Sequence, residues 1–502
     1  MCKKIILILF SIKILIYSSK SQIFSGKIER FENKPLTIYL HVGDTLLPIQ
    51  QVITNHNGEF IIDLKQLNDV FDYLRQKYGI SKYALLRIEF DRELNQFADF
   101  LVQTYYEPTL SIKKELNTKD IKKNIHVRMI YSPSKWFNFA IDNIEILLSE
   151  ENKRLYEFLR QWRKIQVAEN WLLEMSRLFP YADEFSRTLI NEYYKRYKRM
   201  KTIVKEHLKH PNNPVSKIVL AYYRPIVPDY SIPDGDRFKI FREHFWDYFD
   251  PNDSLFFYTP VLIDKFEEWV YLHHHHKEGI AGLYLEKEDI IEGINSFIEK
   301  IDKNEQNRNA VIEYALKKLD KDIIDKELFL AIYDRWLKPQ EGDCRKDDDK
   351  WEKYHNKATL YKKVIIGAKA PDFEIIKEKL RMHDIPSDYL LLIFCANWCN
   401  HCFAEIPKIR LIVEEFNSKN QKSIVPLFIS LDTSHVEWLS FINKHNLQNY
   451  INMCDYKGWK GEIVKLYNVY EIPTIFLLDK NKTIITKTTS HEQLNYLLNL
   501  KN

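Results

Sequence analysis

From Leu36 to Val42 the chain alternates, with Leu36, Ile38, Leu40 and Val42 on one side and Thr37, Tyr39 and His41 on the other. A period of two marks an extended strand with one buried face. Gln51-Val52-Ile53-Thr54 runs into His56-Asn57-Gly58-Glu59, a turn signal, and continues as Phe60-Ile61-Ile62, while Tyr83 to Phe90 reads as another strand. Leu64 to Tyr78 reads as an inserted helix. Residues 22–120 therefore predict a small β-rich N-terminal domain. From about residue 135 to 336 the apolar spacing becomes helical, with breaks at Pro180, Pro211, Pro214, Pro225, Pro228 and Pro251. This predicts an all-α middle domain over 130–340. Pro339 to Asp343 and Lys346 to Lys350 read as an exposed loop, followed by a short helix from Trp351 to Lys363.

Beyond Val364 strands and helices alternate. Leu390 to Cys395 and Ile424 to Leu431 read as strands, each followed by a helix, Phe403 to Phe416 and His435 to His445. Thr474 to Leu478 and Thr483 to Lys487 form a hairpin across Asp479-Lys480-Asn481-Lys482, and Glu492 to Leu500 closes with a helix. Residues 360–502 thus predict an α/β domain, its central sheet covered by helices on both faces.

At 502 residues the chain exceeds one core, and 45% hydrophobic with 29% charged residues is the make-up of a folded protein. Residues 1–21 read as a secretory signal: Lys3 and Lys4, then an apolar stretch from Ile5 to Tyr17 broken by Ser11 and Lys13, then Ser19-Lys20-Ser21, with cleavage before Gln22. The run is short for a membrane span. That segment carries four Lys and no acid, so its loss takes the formal charge from +4 to zero. Electrostatics then offers no reason to expect nucleic acid or an anionic membrane as partner. An exported, periplasmic or periplasm-facing product is expected.

Of six cysteines, Cys2 leaves with the signal, and Cys344, Cys395, Cys399, Cys402 and Cys454 remain. One close pair and three scattered thiols do not staple a protein of this size. The pair, Cys399-Asn400-His401-Cys402, stands between the apolar run Leu390 to Phe394 and the helix that follows. There the positive helix end favours a thiolate at Cys399. Cys-x-x-Cys can also hold zinc, and Cys454 and His435 could be drawn in. Neither forms a second pair at ligand spacing, so dithiol–disulfide exchange is the better reading, with no metal and no prosthetic group.

Taken with its surroundings, the pair resembles the thioredoxin superfamily, in particular the TlpA-like secreted thiol-disulfide oxidoreductases. Gly367-Ala368-Lys369-Ala370-Pro371-Asp372-Phe373 looks like the opening signature of that branch, and Phe394 to Cys402 like its active-site strand and turn. Glu405 and Pro407 fall where the branch has a glutamate and a helix-kinking proline, and Ile472-Pro473-Thr474 resembles the cis-proline loop. The resemblance implies a thioredoxin-like fold over 360–502. It also implies that Cys399 attacks, Cys402 resolves and Glu405 handles the proton of Cys402. Trp398, Ile472 and Pro473 are the implied substrate contacts. Two departures matter. Ile393 stands where plain thioredoxin has a buried aspartate, and Ala396 stands where a peroxiredoxin has Thr or Ser. His401 is the implied redox-tuning residue; an imidazole beside the pair makes the couple more oxidising, whereas Ile472 before Pro473 looks reductive.

The expectation is a secreted reductase of protein disulfides, re-reduced by an upstream donor of the membrane thiol reductase kind. Its rivals are an oxidase or isomerase of exported proteins, and a peptide- or ligand-binding protein with an auxiliary redox domain. The N-terminal domain and Phe241 to Asp250 resemble accessory regions of multidomain TlpA-like proteins from Bacteroidetes-type bacteria. His244, Asp247 and Asp250 there read as a packed aromatic helix end near a cap at Asp253 or Ser254, more than as ligands. His273-His274-His275-His276 reads as the solvated face of a helix, and Tyr193 to Arg199 as an amphipathic helix. Cys344 and Cys454 are given no role, and Cys395 reads as a buried small hydrophobe.

Overall fold

The computed structural model describes residues 23–500, apart from 79–81, 92–95, 104–124, 131–143, 179–183, 224–233, 274, 277–282, 285, 321–324, 339–348 and 376–378. The signal-like segment 1–21, the greater part of the loop after Pro339, and Cys344 lie outside the described residues. None of the described helices is long and apolar enough to cross a membrane. The chain divides into two compact units, Met1–Ala315 and Leu316–Asn502.

The first unit opens with strands β1 (Ile23–Glu29), β2 (Pro35–Val42), β3 (Thr45–Ile53) and β4 (Glu59–Asp63), then helix α1 (Asn68–Tyr78). Strands β5 (Tyr83–Asp91), β6 (Gln96–Gln103), β7 (Ile125–Ile130) and β8 (Ile144–Leu148) follow. They form two four-stranded sheets, ordered β4-β1-β7-β8 and β3-β2-β5-β6. Leu36, Ile38 and Leu40 of β2 are fully buried, as their alternation requires. Phe24 of β1 meets Phe100 of β6 edge-on at 4.7 Å, joining the two sheets through their aromatic core. Gly58, at φ +74°, makes the turn into β4, and a Cβ there would lie 2.2 Å from the Ile28 carbonyl oxygen.

Helices α2 (Glu150–Leu178), α3 (Glu184–His207), α4 (Pro214–Tyr222), α5 (Asp234–Glu243), α6 (Val261–Tyr271), α7 (Lys287–Glu299) and α8 (Glu305–Lys318) follow, and the division between units falls inside α8. The structure differs from the sequence reading at β8, which lies in a stretch read as helical. Ile144 and Ile146 are buried and Glu145 is exposed, a period of two too short to stand out from the helical spacing around it. The turn Leu64–Leu67 is a 3₁₀ helix, so the inserted helix proper starts at Asn68.

The second unit begins with α9 (Lys326–Trp336) and α10 (Asp349–Lys362). Its main body is β9 (Tyr389–Cys395), α11 (Asn400–Lys419), β10 (Ile424–Ser430), α12 (His435–Lys444), β11 (Ile451–Cys454), α13 (Glu462–Leu466), β12 (Thr474–Asp479), β13 (Ile484–Thr488) and α14 (His491–Leu500). The sheet order is β11-β10-β9-β12-β13. Strand β9 is central, parallel to β10 and antiparallel to β12, and Leu390 to Cys395 are all buried, as expected of a strand covered on both faces. The short strand β11 is an addition to the sequence reading. The α/β thioredoxin-like arrangement expected for the C-terminal domain, behind β-rich and helical regions, is what the chain adopts.

Candidate active site

Strand β9 delivers the chain to its C-terminal end, where parallel sheets gather their sites. Cys399 and Cys402 form a disulfide there, with Cα atoms 5.3 Å apart. Cys399 is the N-cap of α11, and its Sγ accepts the Cys402 backbone N–H at 3.1 Å. The helix therefore starts at Asn400, three residues before the expected Phe403, because the first cysteine caps it. Cys402 is fully buried, whereas Cys399 keeps 6% of its surface exposed. Of the two, Cys399 alone keeps any solvent-facing surface.

The loop opposite the pair has a cis peptide bond at Ile472-Pro473. The Ile472 carbonyl oxygen lies 3.4 Å from Cys399 Sγ, and the Thr474 hydroxyl donates to the Glu471 carbonyl at 2.8 Å. Trp398 is half exposed beside the pair, and His401 is exposed on the first turn of α11.

Glu405 lies three residues beyond Cys402, on the same side of the helix. Its Oε2 accepts the His491 backbone N–H at 2.7 Å and meets His491 Nδ1 at 2.8 Å. Burial works to raise the Glu405 pKa, but the two His491 contacts outweigh it, helped by the charge of Lys408, and hold the carboxyl below its ordinary value. Sequence reasoning missed His491, which stands at the head of α14 and has no motif of its own.

It also missed Asp432. This fully buried carboxylate, just past β10, accepts the Asn397 backbone N–H at 3.0 and 3.2 Å and the Ser430 hydroxyl at 2.8 Å. It thereby fixes the residue two before Cys399. Its place after a parallel strand next to β9 was the available signal.

Cys395 is free and fully buried; burial, then the Asp432 charge, push its thiol pKa far up, which leaves it inert. Cys454 is also free, and its Sγ lies 3.2 Å from the Asp432 carbonyl oxygen. Among the described residues no three His, Cys, Asp or Glu are grouped to hold a metal.

The other motifs make local contacts. His244 Nδ1 meets Asp247 Oδ2 at 2.8 Å, Asp250 accepts the Asn252 N–H at 2.9 Å, and Asp253 caps the 3₁₀ turn Ser254–Tyr258. His275–His276 pair with Leu283–Tyr284 as a two-residue ladder, so their backbone is extended where a helix was expected; His274 lies outside the described residues. Tyr193 to Arg199 lie within α3, where the Tyr197 hydroxyl meets that of Tyr223 at 3.3 Å.

A family model described as thioredoxin-like matches residues 387–484. The thiol-disulfide oxidoreductase ResA of Bacillus thuringiensis is 27% identical over 135 residues, 26% of this chain and 74% of ResA. The thioredoxin-like protein YneN of Bacillus subtilis is 28% identical over 137 residues, 27% of this chain and 77% of YneN. Among solved structures, a thioredoxin-like protein from Bacteroides caccae aligns over 56% of this chain and 99% of its own, at 18% identity and a TM-score of 0.38. With a Cys-x-x-Cys disulfide at the head of the helix that follows the central strand, the C-terminal region of this chain is a TlpA-like member of the thioredoxin superfamily, a thiol-disulfide redox domain.

Proposed function

We propose that the protein is an exported reductase of protein disulfides, with Cys399 as nucleophile and Cys402 as resolving thiol. The observation that carries this reading is the asymmetry of the pair: a helix-capping cysteine that keeps a sliver of open surface, joined to one that is fully buried. In the reduced form the helix N-terminus and the Cys402 N–H stabilise the Cys399 thiolate. That thiolate attacks one sulfur of a substrate disulfide, and the S–S electron pair leaves on the other sulfur, which takes a proton from solvent. Cys402 then gives its proton to the Glu405 carboxylate and attacks Cys399 Sγ. The bond from Cys399 Sγ to the substrate breaks, the substrate sulfur leaves with its electron pair and takes a proton from solvent, and the enzyme disulfide forms. An upstream dithiol donor, such as a membrane thiol reductase, returns two electrons and two protons.

Trp398, Ile472 and Pro473 frame the entry to Cys399. Proline at 473 leaves the neighbouring backbone groups of the loop to pair with a substrate strand. Ile472 before Pro473 and the likeness to TlpA-like proteins support the reductive direction, and the charged start and apolar run of residues 1–21 support export. His401 supports a second reading, an oxidase or isomerase, because an imidazolium beside the thiolate stabilises the reduced state.

Two measurements test the proposal. The Cys402→Ser variant should accumulate mixed disulfides with proteins of its own compartment, and the wild type should reduce insulin with dithiothreitol as donor. Failure of both removes the oxidoreductase assignment. A reduction potential near −120 mV, that of a strong oxidant, would overturn the direction alone.

A further inference from the structure

A second tryptophan stands close to the redox pair and bears on which polypeptides reach Cys399. Trp398 and Trp459 are 51% and 44% exposed, and their ring centroids are 6.1 Å apart. Large indoles are normally well covered, and neighbouring ones left half open make a platform for a partner's apolar side chain.

Trp459 is held beside Trp398 by its own turn. Asp455 Oδ1 accepts the Lys457 N–H at 2.9 Å, and the Lys460 and Gly461 N–H groups close back on Lys457 and Gly458 at 3.0 and 3.1 Å. Gly458 has φ +56°, with its missing Cβ directed 3.2 Å from Thr433 Cγ2. Both tryptophans also hang from one residue. The Asp432 carboxylate fixes Asn397, next to Trp398, and the Asp432 carbonyl meets Cys454 Sγ, where the turn carrying Trp459 begins. The platform is therefore preorganised, and ordering it costs little when a substrate binds.

We infer that Trp459, together with Trp398, selects substrates that carry a large apolar or aromatic side chain next to the cysteine being reduced. The occupant is a substrate polypeptide rather than a second copy or a lipid surface, because the platform runs through Trp398 directly to Cys399, the member of the redox pair that keeps some open surface. This inference rests on the reductase reading, and the test separates the two.

The reduced full-length protein is mixed with three disulfide-bridged peptides that differ only in the residue beside one cysteine, Phe, Gly or Lys. Second-order rate constants are read in single turnovers. We expect the Phe peptide to react about ten-fold faster than the Gly peptide. That ratio should fall to within two-fold in Trp459→Ala and be kept in Trp459→Phe, which also shows that the turn tolerates substitution. A wild-type ratio within two-fold of one, a ratio unchanged in Trp459→Ala, or preference for the Lys peptide would overturn the inference and leave the reductase standing. No reduction of any of the three would remove the reductase proposal, and this inference with it.

Discussion

Asp99 in the first unit and Glu405 in the second are both carboxylates that meet a histidine, and in both the carboxyl is held below its ordinary pKa. Asp99 faces Arg87 across the β5–β6 pair, with Nε and Nη2 each donating at 2.8 Å, and His41 Nε2 lies 3.3 Å away. Burial opposes ionisation, yet the charges and hydrogen bonds of His41 and Arg87 push the pKa down to about 2. A guanidinium never gives up its proton, so Asp99 is a fixed anion inside a structural clamp. Glu405 has an imidazole and a backbone N–H instead. With no guanidinium against it, Glu405 is not locked as an anion in the same way, which is what its proposed role as proton acceptor requires. The two sites differ in their partners: a guanidinium fixes Asp99, and Glu405 has none.

The largest effect that tests this contrast comes from Arg87→Leu. It strands a mostly buried carboxylate with a histidine alone, and should lower stability by about 3 kcal/mol, read from denaturant unfolding of the first unit. A loss below about 1 kcal/mol, the size of an exposed pair, would show that the clamp is ordinary surface electrostatics. Insulin reduction per folded molecule should not change.

The next effect is set by pH. The Asp99 pKa is about 2 when folded against 3.8 for the free side chain. Because the folded value is depressed, the stabilisation is fully present above pH 4 and is lost as pH falls towards 2. The expected loss is about 2 kcal/mol, measured as unfolding free energy between pH 5 and 2. Asp99→Asn should flatten that slope; an unchanged slope would assign the acid sensitivity to other carboxylates.

The same contrast marks where the sequence was readable. Strand β2 showed itself because four apolar residues alternate without a break, and Cys399 to Cys402, Glu405 and Ile472-Pro473 carry local spacing that resembles a known family. Strand β1 did not, because the residue between buried Phe24 and Ile28 on its inner face is Gly26, where a Cβ would lie 2.7 Å from Val127. Hydrophobicity cannot flag a position that must be empty. Likewise, with Ile393 at the place of the thioredoxin aspartate, local spacing offers only Glu405 on α11, whereas the fully buried acid is Asp432, whose partner Asn397 is 35 residues away. His491 lies 86 residues from Glu405. Contacts of that span are made by the fold, and no window of sequence holds both partners.

The smallest expected effect bears most directly on the comparison. If Glu405 works as a mobile-proton site, His491→Gln should move the acid limb of the rate–pH profile to higher pH. The reason is that burial, which favours the neutral carboxyl, would then be opposed only by the backbone N–H and the Lys408 charge. A base must be ionised to take the Cys402 proton, so the loss should be felt on the acidic side. At neutral pH the rate should fall no more than about ten-fold, within the range of general base assistance. The measurement is single-turnover resolution of a mixed disulfide at Cys399 from pH 4.5 to 8, with thermal stability followed in parallel. A profile that keeps its shape while stability falls would make His491 a second clamp of the Asp99 kind. A shifted profile with stability nearly intact would establish that the two carboxylates differ in kind.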